Sequence, residues 1–65
     1  MRVLINQMPH ELPEGCSLEA ALQVAGFKPP FAVAINLQFV PKTHYGRTVL
    51  KPGDAVEVIS PITGG

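Results

Sequence analysis

One short segment with helical periodicity constrains the fold of this chain more than any other feature. Its apolar residues recur three, four and seven positions apart, at Leu18, Ala21, Leu22 and Ala25. Ser17 is suited to cap the N-terminus and Gly26 to end the helix, so we predict a helix over residues 18–25. Two helical turns are not stable alone in water, so this helix must pack its apolar stripe against a sheet.

A β-hairpin is predicted before the helix. Residues 2–6 have the alternating pattern of a strand, and residues 10–12 return as its partner after a turn at residues 6–7. Pro9 cannot donate a ladder hydrogen bond, so we expect the second strand of this hairpin to lie at an edge of the sheet.

Three further strands are predicted after the helix. Residues 31–35 form a nearly continuous apolar run, which predicts the central strand, buried on both faces or nearly so. A short strand follows at residues 39–40, and residues 42–49 are polar and irregular. Residues 51–54 place Pro and Gly as a type II turn requires, and this turn leads into the last strand at residues 55–60.

This order of elements predicts an α+β fold in which one helix packs across a mixed sheet of about five strands. If the first and last strands pair in parallel at the sheet centre, the arrangement is the ubiquitin-like β-grasp. The chain has 65 residues, which allows one domain with a small core. We therefore predict a β-grasp domain over residues 1–60 and a flexible tail over residues 61–65. We expect this tail to leave the sheet opposite the first hairpin turn.

The tail ends in two glycines, Gly64 and Gly65. Without a Cβ, glycines adopt backbone angles closed to other residues and can thread a narrow slot in another protein. Five extended residues reach roughly 17 Å beyond the last strand, which suits delivery of the Gly65 α-carboxylate into a partner's active site. The alternative is that small residues simply accumulate at a frayed chain end.

Composition narrows the range of partners. Five basic and five acidic residues give a net charge of zero, so no net field draws the chain to nucleic acid or anionic lipid. No apolar run approaches the roughly 18 residues of a membrane span, and no cationic leader segment is present. We expect a cytoplasmic protein that is monomeric when free and has protein partners.

Three residues invite a chemical role. Cys16, the only cysteine, lies just before the helix and suits a persulfide relay, although a lone cysteine is more often a packing residue. His10 and His44 lack the spacing of metal ligands, so no metal site is expected. Neither a phosphate-binding glycine loop nor a Ser-His-Asp set is in evidence, so we expect a co-substrate rather than an enzyme.

The aromatic residues divide into two groups. Phe27 and Phe31 are predicted to lie in the core or at its rim, and Tyr45 to cover one end of the core. Phe39 fits the core as well, but together with Val40 it also suits a patch that docks a partner.

Four segments, taken in order, resemble one known family. They are AVAIN at 32–36, FVPK at 39–42, LKPGDAVE at 50–57 and PITGG at 61–65. They are similar to the ThiS family of sulfur carrier proteins in thiamine biosynthesis. The resemblance covers essentially the whole chain, and its combination of motifs is far more specific than any one of them.

The resemblance implies a role for the Gly65 carboxylate. A ThiF-like adenylyltransferase would use ATP and Mg²⁺ to adenylate it, while this chain itself binds no cofactor. Sulfur from a donor such as a cysteine desulfurase would then replace AMP, giving a Gly65 thiocarboxylate. The loaded tail, which needs Gly64 for access, would enter a ThiG-like thiazole synthase.

Other functions share the same tail. The small subunit of molybdopterin synthase and carriers for transfer-RNA thiolation would use the same activated Gly65. The molybdopterin subunit is usually somewhat longer, which favours the thiamine carrier. A ubiquitin-like modifier would transfer Gly65 to an amine instead, and an adaptor with an inert end would not need Gly65 at all.

Overall fold

The computed structural model describes residues 1–60, and within them five strands and one α-helix follow one another along the chain. These are β1 (Arg2–Ile5), β2 (Met8–Glu11), α1 (Leu18–Val24), β3 (Ala32–Ile35), β4 (Gln38–Val40) and β5 (Ala55–Ile59). The predicted order of elements is confirmed. A 3₁₀ helix, Lys42–Arg47, occupies most of the segment that was predicted to be irregular.

The five strands form one sheet in the order β2-β1-β5-β3-β4. β1 and β5 are parallel, and all other neighbours are antiparallel. The predicted parallel pairing of the first and last strands is therefore confirmed, and with it the ubiquitin-like β-grasp. β2, which contains Pro9, lies at an edge as predicted.

The prediction that residues 31–35 form the central strand is wrong, because β5 occupies that position. β3 lies between β5 and the edge strand β4, and only Val33 among its residues is buried. Ala32 and Ala34 continue the apolar run, but both are half-buried and lie on the side of the sheet away from the core. The apolar run indicated burial on both faces because alanine is apolar whether or not anything covers it.

Helix α1 is held at both ends as its sequence predicts. The N–H of Ala20 donates to the Ser17 hydroxyl oxygen over 3.1 Å, which caps the first turn. Gly26 follows the last turn with a φ of +84°, a conformation that costs glycine little. The helix buries Leu18, Ala21 and Leu22 against the sheet.

The core lies between α1 and one face of the sheet. It consists of apolar residues with at most 8% of their surface exposed: Val3, Ile5, Leu12, Leu18, Ala21, Leu22, Val33, Tyr45, Leu50, Val56 and Val58. Tyr45 explains why the segment before β5 is not irregular. The 3₁₀ helix carries its ring into the core, and this helix contacts α1.

Both hairpins turn through two residues with left-handed backbone angles. In the first, Asn6 has a φ of 52° and Gln7 of 68°; in the second, Asn36 has 50° and Leu37 has 70°. Positive φ at both central positions is the mark of a type I′ turn, whose twist matches that of the flanking strands.

The end of β5 lies beside the first hairpin turn, where the N–H of Val58 donates to Asn6 Oδ1 over 2.8 Å. The expectation that the tail starts opposite this turn is therefore wrong, because parallel strands bring their carboxyl ends to the same end of a sheet. Residues 61–65 themselves lie outside the described residues, so the predicted boundary at residue 60 stays a prediction.

Candidate functional site

The predicted site residues Gly64 and Gly65 lie outside the described residues, so the candidate site is described by the part of the chain that leads to them. That part is the end of β5. On one side β3 holds it, with Val33 opposite Val58 and Ala32 opposite Ile59. On the other side β1 has already turned away, and the side chain of Asn6 takes its place.

Ten strand residues share the side of the sheet that faces away from α1, which we call the outer face. They are Arg2, Leu4, Pro9, Glu11, Ala32, Ala34, Phe39, Ala55, Glu57 and Ile59. Seven of the ten are apolar, and the charged ones are Arg2, Glu11 and Glu57. Phe39 is 70% exposed, Ile59 63% and Leu4 38%, so the outer face offers a wide apolar surface. Surfaces of this kind mark sites of protein association.

Phe39 therefore lies outside the core, so the alternative that placed it in the core is wrong. It faces Ala34 across the β3–β4 pair, and Glu57 faces the same alanine from β5. Because Ala34 is too small to cover a neighbouring ring, Phe39 stays exposed. The alternative of a docking patch fits Phe39, but not Val40, which lies on the other face of the sheet and packs against the core.

An aromatic groove of about 340 Å³ lies on the opposite side of the sheet, beside α1. Phe31 stacks on Tyr45 with ring centres 5.9 Å apart, and the edge of Phe27 meets Phe31 at 6.5 Å. Both phenylalanines pack against the core and Tyr45 covers its end, as predicted. Burial raises the pKa of the Tyr45 phenol above its usual value. Glu19 and Lys42 also line the groove.

Cys16 lies at the margin of the core. Its side chain is half-buried, packs against the core residues and donates its S–H to the carbonyl oxygen of Ser17 over 3.4 Å. Its backbone also pairs with Leu50, whose N–H donates to the Cys16 carbonyl oxygen over 2.9 Å. These contacts are those of a packing residue, which is the reading that the sequence favours.

The two histidines lie apart from any cluster of metal ligands. His10 Nδ1 is 3.0 Å from the carbonyl oxygen of Met8, on the edge strand β2, and His44 lies half-buried in the 3₁₀ helix. Within residues 1–60, no group of three or more His, Cys, Asp or Glu side chains is placed to hold a metal ion. Nor does this part of the chain contain a helix long and apolar enough to span a membrane.

Asn6 is the residue of this site that the sequence analysis assigned only to a turn. Its partner Val58 lies 52 positions further along the chain. The one local signal is an asparagine at the first position of a two-residue turn, where its tolerance of positive φ is already a sufficient explanation. The sequence pattern therefore gives no reason to pair it with β5.

The matches to known proteins cover all or nearly all of the chain. The chain matches the ThiS family over residues 3–65. A thiazole synthase from Magnetococcus marinus is 38% identical over 66 residues, a match that covers 100% of this chain and 20% of that protein. The chain thus spans about a fifth of the length of this relative.

A crystal structure of the thiamine biosynthesis protein (ThiS) from Geobacter metallireducens has the same fold. The two structures agree with a TM-score of 0.84 at 23% sequence identity, and the alignment covers 100% of both chains. At this level of identity the agreement concerns the fold alone.

Proposed function

This chain belongs to the ThiS family, and we propose that it is a sulfur carrier protein that supplies sulfur for the thiazole moiety of thiamine. The observation that carries the proposal is the family match over residues 3–65, which includes both glycines of the tail. The folded body is the handle that partners recognise, and the Gly65 carboxylate is the group that they modify.

A carboxylate is a poor electrophile because its negative charge repels nucleophiles. In the proposed reaction, a Gly65 carboxylate oxygen attacks the α-phosphorus of ATP and pyrophosphate leaves, so that AMP becomes a good leaving group on the acyl carbon. The terminal sulfur of a persulfide, carried by a donor such as a cysteine desulfurase, then attacks the acyl carbon and expels AMP, which gives an acyl disulfide. A second thiol attacks the donor's sulfur in this disulfide, forms a new disulfide with it and releases the Gly65 thiocarboxylate. ATP and Mg²⁺ are bound by a ThiF-like adenylyltransferase, and this chain is its co-substrate.

The thiocarboxylate sulfur is a softer and stronger nucleophile than a carboxylate oxygen. It also stays attached to a protein that a second enzyme can bind. We propose a ThiG-like thiazole synthase as that enzyme. The thiazole synthase from Magnetococcus marinus supports this choice, because a segment similar to this whole chain makes up 20% of it. Cytoplasmic location and a monomeric free state stay predictions.

The shape of the described residues supports the same role. The outer face reaches the end of β5, because Ile59 is the last residue of β5 and lies on that face. A partner that takes up the tail in its active site therefore also meets an exposed apolar surface on the body. Contact with this surface orders the complex before the chemistry at Gly65 begins.

The test is ATP–pyrophosphate exchange by the adenylyltransferase of the same organism, with this chain as co-substrate. Deleting Gly65 or changing Gly64→Val should abolish exchange and leave the melting temperature unchanged, since neither change alters a core residue of the described residues 1–60. The control is Thr63→Ala, which changes the tail but keeps both glycines, and it should sustain exchange near the wild-type rate. Activation of the Gly65-deleted chain at the wild-type rate would overturn the proposal.

A further inference from the structure

We infer that Asn6 is a positioning residue: its side-chain amide fixes the direction in which β5 presents the C-terminal carboxylate to the adenylating enzyme. This inference rests on the proposed function. It assigns a role to a residue in the first hairpin turn that acts through the last residues of β5.

The hydrogen bonds between β1 and β5 show what Asn6 does. The N–H of Leu4 donates to the Asp54 carbonyl oxygen over 2.9 Å, and the N–H of Asn6 donates to the Val56 carbonyl oxygen over 2.8 Å. In a parallel ladder, the next bond would run from the N–H of Val58 to the backbone carbonyl of Asn6. Here the N–H of Val58 donates instead to Asn6 Oδ1, over 2.8 Å.

The side chain is needed there because the backbone of Asn6 has left the strand. With a φ of 52°, Asn6 is the first residue of the type I′ turn and no longer follows the direction of β1. Its amide group therefore extends the ladder by one bond beyond the end of the strand. Without that bond, the backbone N–H of Val58 would lose its hydrogen-bond acceptor, two residues before the last described residue.

The position of this bond gives it influence over the tail. Beyond Val56, the strand pairs of β5 are all with β3, at Glu57, Val58 and Ile59, and the Asn6 side chain adds a hydrogen bond on the β1 side. A strand held from both sides keeps its direction better than one that has lost a bond on one side. A change of direction at Ile59 is passed on to every residue that follows it, and misplacing a reacting group by about 1 Å can lower the reaction rate about a hundredfold.

The second hairpin provides a matched control. Asn36 occupies the same turn position with a φ of 50°, and its Oδ1 also accepts from β5, from the N–H of Ala55 over 3.0 Å. Its Nδ2 donates to Asp54 Oδ1 over 3.0 Å. These bonds hold the start of β5 rather than its end. Asn36→Gly therefore removes the same side chain from the equivalent turn position, but it leaves the hydrogen bond at the end of β5 in place.

The experiment compares Asn6→Gly, Asn6→Asp and Asn36→Gly with the wild type in ATP–pyrophosphate exchange at varied carrier concentration. Glycine fits a type I′ turn, so both glycine variants keep the fold. For Asn6→Gly we expect kcat to fall about two- to tenfold, as for the loss of one hydrogen bond, with KM nearly unchanged because the docking face is intact. Asn6→Asp keeps an acceptor oxygen and should restore kcat, and Asn36→Gly should leave kcat at the wild-type value.

Amide hydrogen exchange supplies a readout that overall stability does not move. In Asn6→Gly the amide of Val58 should exchange faster while the amides of β3 keep their protection, and in Asn36→Gly the amide of Val58 should be unchanged. A wild-type kcat in Asn6→Gly overturns the inference. Equal losses of kcat in both glycine variants also overturn it, because they indicate a general loss of stability. An inert wild-type chain, by contrast, overturns the proposed function itself.

Discussion

Leu37 is an unfavourable residue for the position that it occupies. It is the second residue of a type I′ turn with a φ of 70°, and its side chain is 86% exposed, so no burial offsets the strained backbone. For an L-residue with a Cβ, this conformation costs roughly 1–2 kcal/mol relative to the right-handed region. The fold tolerates the strain because the pairing of β3 with β4 dictates the turn.

We expect Leu37→Gly to raise the free energy of unfolding by about 1 kcal/mol, because glycine removes the steric cost of positive φ. Urea unfolding followed by circular dichroism measures the change. Leu37→Ala is the control, since it removes the exposed side chain but keeps the Cβ, and it should change stability little. If alanine stabilised the protein as much as glycine, the cause would be the exposed side chain and not the backbone.

Tyr45 gives stability a dependence on alkaline pH. Its phenol has a raised pKa because the folded protein buries it, so the folded state holds this proton more tightly than the unfolded chain does. Its contribution is therefore complete below the unfolded pKa of about 10 and is lost as pH rises through the folded pKa. We expect Tyr45→Phe to lose stability less steeply than the wild type above about pH 10. Urea midpoints from neutral to alkaline pH test this, and identical slopes would contradict it.

Single residues were predictable where their role is local. Ser17 and Gly26 serve the helix ends that their side chains suit, and both act on residues within a few positions. Asn6 and Phe39 were not predictable to the same degree. The first acts on a residue that only the parallel pairing brings near, and the exposure of the second depends on the size of a neighbour from another strand.

At the scale of elements, the outer face is a second part of the site besides the tail. We expect Phe39→Ser to raise the KM for this chain in the adenylyltransferase reaction about tenfold, with kcat nearly unchanged, because an exposed aromatic ring on a docking surface typically carries much of the binding energy. The measurement is ATP–pyrophosphate exchange at varied carrier concentration.

Val24→Ser is the matched control for Phe39→Ser. Val24 is also 70% exposed, but it lies on α1, on the other side of the sheet. Its replacement should leave both KM and kcat at the wild-type values. If the two substitutions raised KM equally, the cause would be the removal of any exposed apolar side chain. The outer face would then have no special part in docking.

The elements themselves could be predicted where a periodic pattern repeats. The helix was predicted to end one residue beyond its observed last residue, Val24, and β1 lies where its alternation indicates. The strand β2 was predicted to start two residues later than it does, at residue 10 instead of Met8. The 3₁₀ helix was missed because Tyr45 is its only buried residue, and a single buried residue creates no period. The position of β3 in the sheet was predicted wrongly, because alanine is apolar on a buried face and on an exposed face alike.

At the scale of the whole molecule, the parallel pairing of β1 with β5 determines where the tail starts. It brings the end of β5 to the first hairpin turn, where the outer face ends in Ile59 and Asn6 holds Val58. The β-grasp could be predicted from the order of elements and from the family resemblance. The end of the sheet at which the tail starts was predicted wrongly, because it depends on strand direction more than on any residue pattern.

The central claim is that Gly65 becomes a thiocarboxylate, and intact-mass spectrometry tests it most directly. The chain would be incubated with ATP, Mg²⁺, a sulfur donor and the adenylyltransferase of its own organism. We predict a mass increase equal to the exchange of one oxygen for one sulfur, located by fragmentation at Gly65. An unchanged mass, with an enzyme proven active on another carrier, would contradict the claim.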